Sequence, residues 1–257
     1  MPTSSPGSGR GAEAARNDER ILAAARAVFV ADPEAPIAAV AQQAGVGHSA
    51  LYRRYPSKED LLRQVCRDGL ARYIAEVEAA LAASVDPWAA FAAFVGFMRG
   101  VVEADTHSLT LRLAGTFAPT DDLYRDGDRA HTLTEQLVRR VHAAGALRAD
   151  VETDDLPLLF EQLAAIHVGD EQRTLELRRR YLALLLDGLR APPGSPLPGP
   201  PLPGPPPRWP EIQGRWRAPA TPQSARATPS ISTSRSGRAR RASIVERPGR
   251  GSGISSR

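Results

Sequence analysis

Apolar residues recur every three to four positions along most of the first 190 residues, a spacing typical of amphipathic helices. Leucine, valine and alanine dominate these positions, and charged residues occupy the opposite faces. No segment alternates apolar and polar residues as a half-buried strand would. The pattern predicts an all-α protein.

The first three predicted helices are short and closely spaced. The first fits Asn17 to about Val30, and the second begins at Pro36, because proline is favoured in the first turn of a helix. Gly45 ends the second helix, since a left-handed C-terminal position favours glycine. The third runs from His48 to Tyr55 and stops before a proline. Two short helices joined by a tight glycine turn predict a helix-turn-helix over about residues 36–55.

A long fourth helix is predicted from Ser57 to about Ser84. Ser57 and Asp60 match the Ser-x-x-acid capping pattern, and Glu59 and Asp60 suit the positive end of a helix. This helix leads from the helix-turn-helix into the rest of the protein. Five further helices are predicted, beginning near Asp86, Thr106, Asp121, Thr153 and Glu171, and the last of them ends at Leu189.

The two ends of the chain differ in composition from the helical part. Residues 1–16 are rich in serine, glycine and proline, lack the apolar core of a secretory signal, and are expected to be flexible. From Ala191 the chain becomes proline-rich and then rich in arginine and serine. Such a segment has little to bury, so residues 191–257 are expected to form a disordered tail.

Charge is distributed unevenly along the chain, whose net charge is +4. Residues 191–257 contain eleven arginines and two glutamates, a net charge of +9, which leaves −5 on residues 1–190. An acidic body cannot bind DNA through bulk charge. It must instead concentrate its basic side chains on one face.

Several classes of protein are excluded or disfavoured by the sequence. No apolar run approaches the ~18–20 residues of a membrane span, so a cytoplasmic protein without a membrane partner is expected. The single cysteine, Cys66, excludes an internal disulfide and is expected to face the core. The five histidines share no metal-ligand spacing, and no catalytic motif is present. We therefore expect no enzyme activity, no cofactor and no metal.

The segment from Gly45 to Leu62 reads GVGHSALYRRYPSKEDLL. In a helix-turn-helix, the second helix enters the DNA major groove with short or polar side chains at its start. Arginine is the commonest partner of guanine edges, and a lysine at a helix start can hold a phosphate. The candidate DNA-binding residues are His48, Ser49, Ala50, Tyr52, Arg53, Arg54, Tyr55 and Lys58.

This segment resembles the signature of the TetR family of bacterial transcriptional regulators. The resemblance covers residues 17–65 and implies that this region is the DNA-binding domain, with its contacts on the third helix and the start of the fourth. Two positions depart from the family pattern. Pro36-Ile37 replaces the usual serine or threonine at the start of the second helix, and Arg54-Tyr55 replaces the usual His-Phe pair.

The C-terminal helices are similar to those of an actinobacterial TetR subgroup. The resemblance implies that residues 66–190 form a helical-bundle domain for ligand binding and dimerisation, and that its last two helices build a four-helix dimer interface. The sequence of the last helix is consistent with such an interface, because it carries more leucine than one buried face needs. The candidate interface residues are Leu159, Leu163, Ile166, Leu175, Tyr181, Leu182, Leu185 and Leu189.

A pocket for an apolar ligand is also implied by the family resemblance. Candidate lining residues are the aromatic, methionine and histidine side chains of the C-terminal domain, although His167 is more simply explained as a core histidine. They are Trp88, Phe91, Phe94, Met98, His107, Leu111, Phe117, Tyr124, Phe160 and His167.

Together these features predict a homodimeric regulator that binds a double-stranded DNA operator and is released by a small ligand, most simply a repressor. Ligand binding would move the fourth helix and change the spacing of the two recognition helices. The alternative is a DNA-binding regulator with no small-molecule response, in which the C-terminal body serves dimerisation alone.

Overall fold

The computed structural model describes residues 7–83, 87–191 and 200–217. Over these residues the fold is all-α, as predicted, and the only bridge between extended segments joins Leu147 to Arg190. The helices of the described residues are α1 (Gly7–Ala31), α2 (Ile37–Ala44), α3 (His48–Arg54), α4 (Lys58–Ala83), α5 (Pro87–Glu103), α6 (Thr106–Leu113), α7 (Asp121–Ala143), α8 (Asp155–Ala164), α9 (Glu171–Leu189) and α10 (Trp209–Arg217).

Two hydrophobic cores lie along α4, one in each half of that helix. The N-terminal core is formed by α1 to α3 with Leu61, Leu62 and Val65 of α4. The C-terminal core is formed by α5 and α7 to α9 with Tyr73 and Val77 of α4. The single helix α4 therefore connects the two cores without a break.

The N-terminal core also includes side chains from the C-terminal half of the chain. Leu109 and Leu113 of α6, Phe117 of the segment that follows α6, and Leu123 of α7 are buried in it beside α1 and α4. The DNA-binding domain is therefore packed, through α1 and α4, directly against elements of the bundle.

The first helix is longer than the sequence predicts. It begins at Gly7, ten residues before the expected start at Asn17, so the expectation of a flexible segment over residues 1–16 is wrong from Gly7 onward. Residues 11–16 read GAEAAR, and alanine, glutamate and arginine are strong helix formers. Their propensity extends the helix beyond the apolar face that marked its predicted start.

The expectation of disorder from Ala191 is also wrong for residues 200–217, which form an irregular segment followed by α10. Ile212 is buried, and Trp216 packs edge-on against Phe117, with ring centroids 6.0 Å apart. Two tryptophans and an isoleucine within nine residues supply the apolar surface that the surrounding proline-rich composition obscures.

The turn of the helix-turn-helix is built as the sequence predicts. Gly45 has a φ of +64° in the left-handed region, and the Val46 N–H donates to the carbonyl of Ala41 at 3.0 Å. An Arg20 guanidinium donates to the Ala44 carbonyl at 2.6 Å and lies 3.1 Å from the place of a Cβ on Gly45. The angle between α2 and α3 therefore depends on a residue without a side chain.

Replacement of Gly45 by alanine should destabilise the protein. A left-handed non-glycine residue costs about 1–2 kcal/mol, and the added Cβ also displaces Arg20. Gly47→Ala is the matched control, because Gly47 has a φ of −66° and open space around its Cβ position. Urea unfolding should show a loss for Gly45→Ala and little change for the control; equal stability of the two variants would contradict this account of the turn.

Candidate DNA-binding surface and ligand cavity

The outer face of α3 presents most of the residues predicted to contact DNA. Leu51 is buried beneath the helix, whereas His48, Ser49 and Arg53 are exposed, and Tyr52 is 46% exposed. Ala50, another candidate on this helix, is half-buried. The first two turns of the helix therefore offer an imidazole, a hydroxyl, a phenol and a guanidinium to the solvent.

Arg54 is held by an ion pair within the protein. Its Nε lies 3.0 Å from both carboxylate oxygens of Asp18, and its Nη2 lies 2.6 Å from Oδ2. The hydrogen bond to Asp18 raises the pKa of Arg54. A DNA contact by Arg54 therefore requires phosphate or base oxygens to replace Asp18, or to bind the outer edge of the paired guanidinium.

Tyr55 and Lys58 have contacts that the sequence does not predict. Tyr55 is buried in the N-terminal core, and burial raises the pKa of its phenol. The Lys58 ammonium donates to the Pro33 carbonyl at 2.7 Å and lies 5.4 Å from the ring centroid of Phe29. Both residues brace the loop and helix around α3, and that role accounts for their positions without a DNA contact.

The start of α4 is capped by Ser57, as predicted. The Ser57 hydroxyl accepts from the Asp60 N–H at 3.0 Å and donates to the Asp60 carboxylate at 2.7 Å. This reciprocal pair fixes the first turn of α4 directly after the recognition helix.

A cavity of about 170 Å³ lies beside the middle of α4. Its walls come from α1, α4, α6, α7, α8 and α10. Val65, Leu70, Leu109, Leu123 and Ile212 supply apolar surface. The polar side chains on its wall include Arg26, Arg72, His107, Tyr124, His131, Thr134, Glu161, Gln213 and Arg215.

The predicted pocket residues fall at different places. His107 and Tyr124 line the cavity. Phe94, Met98 and Phe160 do not, because they are fully buried in the C-terminal core. The side chains of Trp88 and Leu111 lie outside the described residues.

Three further pocket candidates lie away from the cavity wall. Phe117 is buried in the N-terminal core, and Phe91 is half-buried with the Arg190 guanidinium 5.4 Å from its ring centroid. His167 is exposed in the loop between α8 and α9, so neither a pocket nor a core position describes it. Its Nδ1 lies 3.2 Å from the Ala165 carbonyl. Most of the aromatic side chains that were pocket candidates therefore lie in the hydrophobic cores and not on the cavity wall.

His107 is an uncharged polar group of the cavity at neutral pH. Burial, with a smaller contribution from Arg215, lowers its pKa from 6.5 to about 4. Its Nδ1 lies 2.9 Å from the Thr106 hydroxyl, and its ring lies 4.8 Å from that of Phe160. On the facing helices, the Tyr73 hydroxyl lies 3.0 Å from the Thr134 hydroxyl.

Cys66 lines the cavity and is its only thiol, since the chain contains one cysteine. Burial raises the pKa of this thiol to about 12. The core-facing position predicted for Cys66 is therefore a position on the wall of the cavity.

Glu161 and Arg215 form the ion pair of the cavity that the sequence does not predict. The Arg215 Nη1 donates to Glu161 Oε2 at 2.8 Å, and Nη2 donates to the second carboxylate oxygen. Glu161 lies on α8, and Arg215 lies on α10 in the segment expected to be disordered. The only sequence signal for α10 is the spacing of Trp209, Ile212 and Trp216.

The last two helices of the bundle leave only one of the residues predicted for the dimer interface, Tyr181, exposed. Leu163, Leu182 and Leu189 are buried in the C-terminal core. They are core residues, and the prediction that they lie in an interface is wrong for these three. Leu159, Ile166, Leu175 and Leu185 are half-buried against the same core.

A different face of α9 is left exposed. Tyr181, which the sequence does assign to the interface, is 49% exposed, and Leu184 is 59% exposed. Leu177 is half-buried one turn before them. These three residues follow a spacing of three and four and form an apolar stripe, called here the α9 stripe.

Arg178 fixes the inner face of α9. Its guanidinium is buried and donates to the Asp105 carboxylate at 2.7 Å and to the Ala164 carbonyl at 2.8 Å. Its Nη2 also donates to the Ser108 hydroxyl at 3.2 Å. This network joins α9 to α8 and to the start of α6, and it orients the α9 stripe outward.

The described residues contain no group of three or more histidine, cysteine or acidic side chains that could hold a metal ion. Among the described helices, none is long and apolar enough to cross a membrane.

Two family models match the chain. Residues 21–65 match the bacterial regulatory proteins of the tetR family, and residues 86–191 match the C-terminal domain of SbtR-like transcriptional regulators. No protein of curated function matches significantly.

Solved structures that the chain matches include two TetR regulators. One, from Mycobacterium vanbaalenii, is 26% identical, with 70% of this chain and 98% of that chain covered and a TM-score of 0.48. Another, from Streptomyces coelicolor, is 27% identical, with 67% and 98% covered and a TM-score of 0.43. The two family models together span the helix-turn-helix and the bundle, and the chain belongs to the TetR family of DNA-binding bacterial transcriptional regulators.

Proposed function

We propose that the protein is a ligand-released repressor that binds operator DNA as a homodimer. The observation that carries this proposal is the position of the cavity, which is walled by the same helix, α4, that enters the core of the DNA-binding domain. Val65 belongs to both, because it lines the cavity and is buried in the N-terminal core. A ligand in the cavity therefore acts on a helix that positions α3.

Two further elements connect the cavity to the DNA-binding domain. Arg26 of α1 lines the cavity and pairs with Asp68 of α4 at 2.9 Å. Leu109 of α6 lines the cavity and is buried in the N-terminal core. A shift of α4 relative to α1 or α6 changes the direction of the recognition helix, because packed side chains transmit displacement.

Release of the DNA by the ligand follows from the geometry of a two-fold dimer on DNA. Two recognition helices must lie about one helical turn apart, ~34–36 Å, to enter successive major grooves. A ligand that binds better to a conformation with another spacing shifts the population away from the DNA-bound form. DNA thus competes with the ligand through the conformation of α4.

The DNA contacts are proposed to come from the exposed face of α3. His48, Ser49 and Tyr52 lie toward the start and middle of the helix, and Arg53 follows them. Arg54 contributes through the outer edge of its paired guanidinium or after exchange of Asp18, while Tyr55 and Lys58 support the domain from within. Net charge is a minor factor, because residues 1–190 are acidic.

Replacement of both Tyr52 and Arg53 by alanine should abolish specific DNA binding. A good bidentate base contact contributes ~1–3 kcal/mol of discrimination, so the double variant should lose at least ~10-fold in affinity. The assay is footprinting on sites selected from a random DNA pool with the wild-type protein. Arg67→Ala is the control, because Arg67 is an exposed arginine of α4 that pairs with Asp122. An unchanged footprint for the double variant would place the contacts elsewhere.

Dimerisation should depend on the α9 stripe. Changing Tyr181 and Leu184 to glutamate should produce a folded monomer, because a buried leucine contributes ~1.5–3 kcal/mol that the charge removes. Sedimentation velocity measures the outcome, and Ala183→Glu, an exposed change on the same helix, should remain a dimer. A stable dimer of the stripe variant would show that the interface lies on another face.

The ligand response should disappear when the cavity is filled from α4. Gly69 lines the cavity and has open space at its Cβ position, so Gly69→Leu projects into it. Gly96→Leu is the control, since Gly96 is exposed on α5 with open space and does not line the cavity. Compounds that raise the melting temperature of the wild type and weaken its DNA binding should leave Gly69→Leu unaffected.

The same experiment separates the proposal from the alternative without a ligand response. Compounds that act equally on both variants would bind outside the cavity. If no compound in an apolar and amphipathic library shifts either melting or DNA binding, the body serves dimerisation alone.

A further inference from the structure

The C-terminal helix α10 closes one side of the cavity. Trp209, Ile212, Gln213, Arg215 and Trp216 all line it, although the helix is only nine residues long. Without these side chains the cavity would open to solvent over this wall. The helix therefore forms part of the cavity wall and does not pack on a surface that is closed without it.

Polar contacts hold α10 at its first turn. The Trp209 indole N–H donates to Asp128 Oδ1 at 2.9 Å, and the Gln213 amide donates to the same oxygen at 2.6 Å. The Trp209 ring stacks on His131 with centroids 4.5 Å apart. Both of these partners, Asp128 and His131, lie on α7.

The second half of α10 is held by charge. Glu161 is 7% exposed, and its carboxylate receives two hydrogen bonds from the Arg215 guanidinium. A carboxylate in such a position requires a cationic partner, since an unpaired buried charge is strongly destabilising. Arg215 supplies that partner from a segment that crosses back over the bundle.

The segment before α10 is anchored separately from the helix. The Leu202 N–H donates to Asp150 Oδ2 at 2.7 Å, and Asp150 pairs with Arg148. The chain at Leu202 can therefore stay attached while α10 leaves the cavity wall. Leu202 then remains as the attachment point about which α10 moves.

We propose that α10 is a displaceable plug of the cavity, and that the ligand carries a cationic group that replaces Arg215 at Glu161. The proposal rests on the proposed ligand response and names the class of ligand. An aromatic or apolar body with one positive charge matches both the walls of the cavity and the carboxylate. A neutral or anionic ligand that removes Arg215 would leave Glu161 charged and without a partner, and is disfavoured for that reason.

The opening of α10 can be measured through Cys66 in the full-length protein. A chromogenic disulfide reagent should react faster with this single, half-buried thiol when α10 leaves the cavity wall. Arg215→Met should raise the reaction rate at least ~10-fold, because hydrogen bonds to charged groups contribute ~1.5–3 kcal/mol. Glu161→Gln, which keeps the shape of the side chain, should raise the rate as well. Arg208→Met is the matched control, since Arg208 precedes α10 and does not line the cavity.

The ligand class is tested with a pair of fluorescent probes that share one aromatic body. Dansyl ethylenediamine carries a positive charge, and dansyl glycine carries a negative charge. The wild type should bind the cationic probe at least ~10-fold more tightly, as expected when one charge-assisted hydrogen bond is gained. Glu161→Gln should abolish that preference.

The direction in which Arg215→Met changes the affinity for the cationic probe distinguishes a displaceable plug from a fixed wall. If Arg215 competes with the ligand, its removal should tighten binding of the cationic probe severalfold. Weaker or unchanged binding would overturn the proposal, as would equal affinity for the two probes or an unchanged rate at Cys66 in both variants.

These measurements do not involve DNA. If the cationic probe binds as described and DNA binding stays constant, the proposed ligand release fails while the plug stands. If the probe pair shows no preference but other compounds release DNA through the cavity, the plug proposal fails and the proposed function stands.

Discussion

The structure depends on the continuity of α4 through two hydrophobic cores. The helix has 26 residues, a length of about 39 Å at 1.5 Å per residue. Its first turns are buried with α1 to α3, and its last turns are buried with α5 and α7. Neither core is complete without its half of α4, so the two cores cannot move independently.

The cavity lies where one core gives way to the other. Val65 is the last buried residue of α4 in the N-terminal core, and Tyr73 is the first in the C-terminal core. Between them, Cys66, Gly69 and Leu70 face the cavity. A glycine inside a helix costs ~1 kcal/mol relative to alanine, and here its missing side chain enlarges the cavity. The weakest packing of α4 therefore coincides with the place from which a ligand can act on it.

Local rules made the helix-turn-helix predictable from sequence. Gly45 marks the turn through its backbone conformation, and Ser57 marks the start of α4 through its cap. Both signals depend on neighbours within a few residues. The contacts of Arg54 with Asp18 and of Lys58 with Pro33 join positions 36 and 25 residues apart, and no local pattern indicates them.

The cavity and the exposed face of α9 illustrate what periodicity cannot resolve. The surplus of leucine on α9 is real, but the inner and outer faces carry the same residue type. The buried network of Arg178 decides that Leu182 packs inward while Leu184 points outward. The cavity is harder still, because six helices contribute a few residues each, and the aromatic side chains that suggest a pocket instead fill the core.

The buried carboxylate of Glu161 links these observations. It lies within a bundle whose helices are otherwise joined largely by apolar contact, and its charge must be balanced in every state of the protein. The sequence provides that balance from beyond the bundle, in a segment whose composition is dominated by proline. Exchange of Arg215 for the positive group of a ligand keeps the charge near Glu161 constant. The free-energy difference between the plugged and liganded states is then set by how the two occupants pack against wall residues such as Tyr73 and Tyr124. Such an exchange requires no unpaired buried charge at equilibrium, and so a modest gain in packing is sufficient to release α10.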